Sequence, residues 1–347
     1  MPMLKRVDAP VPISLERHPD AWNGFVAAVM GHSATVPARL EALRTVAPGS
    51  PAVLAARGLL YLLLGRRELA DEAALLHRAA RAAIDVEGGH GERLMVEALG
   101  AFVGGRPSQA ATIFDTILET SPADAFAVKM AQAIRFVVGD NRGMRRSAEA
   151  AVGYFADSHP HAGYVHGCYA FACEETGDFA IAEREGMRAL ELAPDDAWGL
   201  HAVAHVHEMR GHPERGRDFL LAREAAFSGC SNFRYHVWWH YALFELELGN
   251  VDRVLDLYDT EVRRERTDDY RDVANAVSLL ARLEAEGVDV GDRWEELAAI
   301  AERRVDDACV VFADLHYLVA LLGARRDAAA DRLVERLAGA EGGTEFG

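Results

Sequence analysis

Two pairs of histidines stand four residues apart near the middle of the sequence, His201 with His205 and His236 with His240. Four residues is about one helical turn, so each pair projects from one side of one helix. Neutral imidazole suits zinc, copper, iron and nickel, and an i, i+4 pair on a helix is a bidentate arrangement. Glu208 and Glu174 are placed to add a ligand or to carry a proton. A divalent transition ion with an open position would lower the pKa of bound water, which is hydrolase or lyase chemistry with Glu208, Glu174 and His205 as the catalytic groups. Two further readings use the same side chains. In one, protonated imidazole and tryptophan hold an anionic or aromatic ligand without a metal. In the other, the histidines bond to neighbouring carbonyls and carboxylates and stitch the fold together.

Whether the pairs meet depends on the elements that carry them. Glycines close apolar helical stretches at Gly31, Gly65, Gly105, Gly139, Gly177, Gly211, Gly249, Gly287 and Gly323, at separations of 34 to 40 residues. That period is the length of one helical hairpin, and glycine suits a helix end because the left-handed conformation there carries no Cβ penalty. Prolines mark many of the entries to the next unit, at Pro51, Pro122, Pro160 and Pro194. No alternating apolar–polar run bounded by turn signals makes a convincing strand. The expected fold is all-α: a solenoid of about nine antiparallel helix pairs with short loops.

The unit Gly177-Asp-Phe179-x-x-Ala182 … Ala189-Leu190-x-Leu192-x-Pro194 resembles a tetratricopeptide repeat. Further segments, AFACEETGDFAIAEREGMRALELAPDDAWGLHAVAHVHEMRGH, HVWWHYALFELELGNVDRVLDLYD, RWEELA and FADLHYL, are similar to the tetratricopeptide-repeat protein 38-like family. The similarity runs from Glu92 to Gly323, and the chain departs from it at Val237, where related sequences tend to carry an asparagine-like polar residue. The resemblance implies a right-handed superhelix and brings no general biochemical activity with it.

In repeats of this type the first helix of each pair lines the concave surface. Its free face comprises residues about thirteen, ten or nine, six, and three or two before the closing glycine. Before Gly211 these are Trp198, His201, His205, Glu208 and Met209; before Gly249, His236, Trp239 and His240; before Gly177, Tyr164, Cys168, Phe171, Glu174 and Glu175. Before Gly105 and Gly139 the stripe is apolar, with Met95, Leu99 and Phe102, then Phe126 and Phe136. Adjacent first helices lie about 10 Å apart, so the two histidine pairs face a common space. Trp198, His201, His205, His236, Trp239, His240, Tyr164 and Phe171 are the expected ligand-binding residues, and His201, His205, His236 and His240 the expected metal ligands. Counted from Gly323, Asp314 falls on the groove side, while His316 is less well placed. The occupant is expected to be a peptide, a partner protein or a small molecule, with an enzyme built on the same groove centre as the alternative.

Composition narrows the classes. The 347 residues carry 37 basic and 54 acidic side chains, a net charge of −17 that repels a phosphate backbone, so a nucleic-acid partner is not expected. No apolar run approaches the ~20 residues needed to cross a bilayer, and the start, MPMLKRVDAPVP, lacks a secretory hydrophobic stretch. A cytoplasmic protein with no membrane partner is the expectation. Cys168, Cys173, Cys230 and Cys309 form no CxxC pair, so neither a disulfide framework nor a cysteine zinc site is indicated. The expected layout is a lead-in or cap over residues 1–18, one helical-repeat domain over 19–338, and a flexible glycine-rich tail over 339–347.

Overall fold

The computed structural model describes residues 10–339, apart from the side chains of residues 86 and 87. The beginning of the lead-in, residues 1–9, and the tail over 340–347 lie outside the described residues. The fold is all-α, and among the described residues the helices form nine successive pairs. They are α1 (Pro19–Met30) with α2 (Val36–Val46), α3 (Pro51–Leu63) with α4 (Arg67–Glu87), and α5 (His90–Val103) with α6 (Pro107–Thr120). Next come α7 (Ala125–Val138) with α8 (Asn141–Val152), and α9 (Ala162–Glu174) with α10 (Phe179–Leu192). The sixth pair, α11 (Ala197–Met209) with α12 (Pro213–Leu221), is followed by the short α13 (Glu224–Phe227). The array ends with α14 (Phe233–Glu247) and α15 (Val251–Leu257), α16 (Tyr270–Ala285) and α17 (Arg293–Arg304), and α18 (Val311–Gly323) and α19 (Asp327–Ala338).

The residue that closes each first helix sets which side chains face inward. At Gly65, Gly105, Gly139, Gly177, Gly211, Gly249 and Gly287 the backbone takes the left-handed conformation, with φ between 61° and 79°. The following N–H bonds back across the turn, as in Asp178 N to Cys173 O at 2.8 Å and His212 N to His207 O at 2.9 Å. The first and last pairs depart from expectation. There the left-handed residues are His32 (φ 51°) and Arg325 (φ 53°), with the same closing bond from Ser33 N to Ala28 O and from Arg326 N to Leu321 O. Gly323 is a glycine for another reason: a Cβ there would overlap the ring of Trp294. Counting back from Arg325 instead of Gly323 corrects the inward stripe of α18 to Phe312, Leu315 and His316, Val319 and Leu322. Asp314 is not on the groove side; it is buried and held by Arg336 of α19, at 2.6 Å.

First helices pack on first helices from α3 to α5 and again from α7 to α18, and one close approach tightens the middle of this row. Asp196 caps α11, accepting from Trp198 N at 3.3 Å and Gly199 N at 3.0 Å, and its carboxylate sits against Gly167 of α9. The C-terminal half returns to the N-terminal one. Arg304 bonds Asp268 at 2.7 Å and Glu68 at 3.0 Å, and Arg66 bonds Asp268 at 2.5 Å.

The first pair leaves the row. Helix α1 packs on α2 and on the inward side of α7, with Trp22 and Phe25 against Phe126 at ring separations of 5.4 and 6.0 Å. The turn after it continues across the inward faces of α9, α11 and α14. Gly31 lies against the ring of Tyr164, and His32 stacks on both Trp198 (5.0 Å) and Phe233 (4.6 Å). Ser33 pairs with Cys230 as an isolated antiparallel bridge, and Ser231 N bonds His32 O at 2.8 Å. Much of the concave surface expected to await a ligand is therefore covered by the chain's own first hairpin. Upstream, Ser14 holds residues 10–18 in place through its Oγ, 2.6 Å from Ser50 Oγ, and through its N–H to Glu92.

The approach of α9 to α11 carries a test. Gly167→Ala would drive a methyl into the Asp196 carboxylate and to 3.0 Å from Gly199 N, costing about 1–3 kcal/mol as an overpacked core does. Calorimetry of the variant should show a melting temperature several degrees lower; an unchanged melt would mean the helices are not this close.

Candidate functional site

Helices α11 and α14 bring their histidine pairs together, so the four imidazoles form one cluster. Every ring turns Nε2 inward. His201 lies 2.9 Å from His205, 2.9 Å from His236 and 3.1 Å from His240, Nε2 to Nε2. His240 lies 3.1 Å from His205 and 3.2 Å from His236. The sixth pair, His205 and His236, lies within 4.8 Å. His201 and His240 are buried, with 3% and 2% of their surface exposed, while His205 and His236 are half-buried.

The outward nitrogens explain the orientation. His236 Nδ1 is 2.8 Å from Asn275 Oδ1 of α16, His240 Nδ1 is 3.0 Å from Glu208 Oε2, and His205 Nδ1 is 3.2 Å from Glu174 Oε2. All three partners are acceptors: the Nδ1 atoms of His236 and His240 carry the proton and donate it, while His205 Nδ1 faces its carboxylate as an ion-pair contact. A neutral imidazole has one N–H, and its Nε2 is then a lone pair aimed at the centre. His201 differs: among the described residues its Nδ1 is buried without a partner.

Electrostatics keeps most of the rings in this form. Burial, with the neighbouring imidazoles adding to it, holds His201 and His240 well below the ordinary histidine value and His236 down to about 3. Burial works the same way on His205, but hydrogen bonding and charge from Glu174, with Glu208 and Glu175, outweigh it and move that ring upward.

Convergent lone pairs repel unless a positive centre lies between them, and the separations match one. At a metal–nitrogen distance of about 2.1 Å, four ligands on an octahedron with two adjacent positions vacant give five separations of about 3.0 Å and one of about 4.2 Å, whereas a tetrahedron gives six of about 3.4 Å. The five values of 2.9–3.2 Å follow the first pattern. Ligating histidines bound outward through their other nitrogen to carboxylate or amide oxygen are the usual support of a metal centre. The residues present fit a divalent transition ion. Glu174 and Glu175 also lie within 4.8 Å of a His205 nitrogen, but the Nδ1 of that ring already faces Glu174.

The other expected residues fall into two groups. Trp239 stacks on His236 (5.3 Å, 13° between planes), and Glu208 and Glu174 touch imidazole Nδ1 atoms on the side away from the centre. Phe171 stacks on His201 at 5.4 Å, and Trp198 lies 5.3 Å from the same ring. Trp198 and Tyr164 also meet the first hairpin, so the concave stripe there is packed by His32 and Gly31. Of the off-stripe histidines, His166 pairs with Glu185 of α10 at 2.7 Å, and His207 faces Phe219 of α12. Sequence reasoning missed Asn275, Phe233, His32 and Lys129. Lys129 Nζ lies 2.8 Å from His32 Nε2 and 4.5 Å over the Trp198 ring, and burial holds its pKa below the ordinary lysine value. As one of only two lysines in the chain, it carried a compositional signal; Asn275 carried none.

No family model matches the chain. Among solved structures it is similar to one described as the APC/C hetero-tetramer Cut9–Hcn1, with a TM-score of 0.43 and 15% identity over 91% of this chain and 66% of that one. The chain thus spans just under two thirds of that relative's length. It is also similar to the TPR domain of P58(IPK), with a TM-score of 0.24 and 16% identity over 94% of this chain and 92% of that one.

Asp196, which starts the helix bearing His201 and His205, gives this region a pH signature. Burial raises its carboxyl to about 7, against the pull of Lys129 and its two backbone N–H donors. A raised carboxyl holds its proton better in the native chain than in the unfolded one. Its contribution to stability is therefore present below pH about 4 and lost as the pH rises through about 7. Asp196→Asn, which keeps an acceptor for the cap, should melt like the parent at pH 4 and be more stable at pH 8, by on the order of 2–4 kcal/mol. Parallel pH–stability curves for the two proteins would refute the assignment.

Proposed function

We propose that this helical-repeat protein is a metal-dependent enzyme whose His201, His205, His236 and His240 hold one divalent transition ion. The observation that carries the reading is the convergence of four Nε2 atoms, three of whose rings are held from behind by Glu174, Glu208 and Asn275. When bound, such an ion would supply Lewis-acid chemistry to water or a substrate oxygen. His201 and His240 are buried and His205 and His236 half-buried, so a substrate would reach the cluster from the side of His205 and His236.

The chain's own residues supply the rest. Glu174 and Glu208 hold the Nδ1 protons of His205 and His240, fixing both rings and balancing charge at the centre. Asn275 does the same for His236 without charge. Phe171 and Trp239, stacked on the rings, keep bulk water from two sides. The chain's resemblance to the tetratricopeptide-repeat protein 38-like family rests on the motifs between Glu92 and Gly323. A peptide or protein partner is the alternative occupant, restricted to the part of the concave face that the first hairpin leaves free.

Elemental analysis of tag-free protein should find about one transition-metal ion per chain, as purified or after exposure to Fe²⁺, Co²⁺ or Zn²⁺. The double variant His205→Ala, His240→Ala should lose that ion while keeping the parent's helical content. Protein that takes up none of the three ions would overturn the reading. Glu174→Gln and Glu208→Gln should each weaken metal affinity by about 10–100-fold, measured by competition with a chromogenic chelator.

A further inference from the structure

Three of the four clustered imidazoles have an oxygen set against Nδ1, and His201 does not. Among the described residues its Nδ1 is buried with no hydrogen-bond partner, although its Nε2 lies within 3.1 Å of the other three. The tilt of this ring is therefore left to packing. Phe171 stacks on it at 5.4 Å, and Trp198 and Phe233 each lie 5.3 Å from it.

Trp198 stands three residues before His201 on α11, and Phe233 three before His236 on α14, so each continues the inward stripe of its helix by about one turn. The two rings meet across the helices at 5.3 Å. His32, at the turn of the first hairpin, closes them into a triangle, 5.0 Å from Trp198 and 4.6 Å from Phe233. Phe233 also lies 5.6 Å from His236. His201 thus rests on an aromatic wall, one corner of which comes from the opposite end of the sequence.

That corner is held at a cost. Seven first helices close on a left-handed glycine, whereas His32 takes the same conformation with a Cβ, at φ 51°. Its surroundings enforce it. Lys129 Nζ lies 2.8 Å from His32 Nε2 and 4.5 Å over the Trp198 ring, Ser231 N bonds His32 O at 2.8 Å, and Ala34 N bonds Gly229 O at 3.3 Å. Glycine would relax the backbone there, so what the position retains at the expense of strain is a ring.

We infer that the first hairpin sets the geometry of the histidine cluster, with His32 as a positioning residue that acts on His201 through Trp198 and Phe233. Seating of the hairpin and occupancy of the cluster are then coupled in both directions: an ion that locks His201 tightens the hold on His32, and loss of the His32 ring loosens the ion. The coupling to an ion rests on the metal reading; the placement of the His201 ring does not.

His32→Gly removes the ring while relieving the turn. Competition with a chromogenic chelator should show Zn²⁺ bound about tenfold more weakly than in the parent, and His32→Phe, which restores a flat ring, should recover most of the affinity, with circular dichroism unchanged in both. In the parent protein, hydrogen exchange over residues 31–36 and 229–233 should slow severalfold when Zn²⁺ is bound. In metal-free protein, acylation of His201 by diethyl pyrocarbonate, located by mass spectrometry, should be faster in His32→Gly than in the parent. Affinity untouched by His32→Gly, affinity lost equally in His32→Phe, or exchange indifferent to Zn²⁺ would overturn the inference. A parent that takes up no Zn²⁺ would overturn the metal reading alone; His201 acylation then decides the positioning, and equal rates in the two proteins would end it.

Discussion

Four imidazole nitrogens with five of their six separations near 3 Å cost energy to gather, and the molecule spends much of its architecture keeping them there. The cluster needs α11 and α14 side by side, each presenting two side chains one turn apart on the same face. It also needs Glu174 from α9 and Asn275 from α16 to hold rings from behind, so four consecutive first helices contribute to one centre. Buried polar groups at this density are costly unless paired, and three of the four outward nitrogens are. An arrangement that expensive, with its inward nitrogens left unprotonated, is what a cation would repay.

The register of those helices is set at their ends. A left-handed residue followed by an N–H that reaches back five positions fixes where each first helix stops, and counting back from it gives the inward stripe. The middle of the array adds the cap at Asp196, wedged between Gly167 and Gly199, which brings α9 and α11 close enough for Phe171 to lie on His201. Packing between neighbours, and not a single central core, holds such an array together. The first hairpin adds contacts of another kind, between pairs far apart along the row.

Much of this was legible in the sequence. Glycine spacing gives the nine helix pairs, and in seven of them the glycine is the residue that turns left-handed. The two histidine pairs, with Glu174 and Glu208, follow from the same count. The errors lie at the two ends of the array. His32 adopts a conformation that costs a non-glycine residue energy because its ring is sandwiched between Trp198 and Phe233, a tertiary effect that no local pattern encodes. Gly323 reads as a helix stop but is a site of close approach to Trp294, and that shift of two residues moved Asp314 onto the wrong face. The seating of α1 on α7 left no trace in the periodicity, since an amphipathic helix reads alike whether its partner is next in the row or several pairs away.

That seating has a consequence for how the protein is made. Gly31 accepts a bond from Cys230, 199 residues downstream, so the first hairpin emerges from the ribosome long before the surface that receives it exists. At about 5–20 residues per second, Trp22 and Phe25 wait roughly five to twenty seconds for Phe126, and Gly31 waits roughly ten to forty for Cys230. During that interval the apolar face of α1 is uncovered on the nascent chain, open to misassembly until α7 follows.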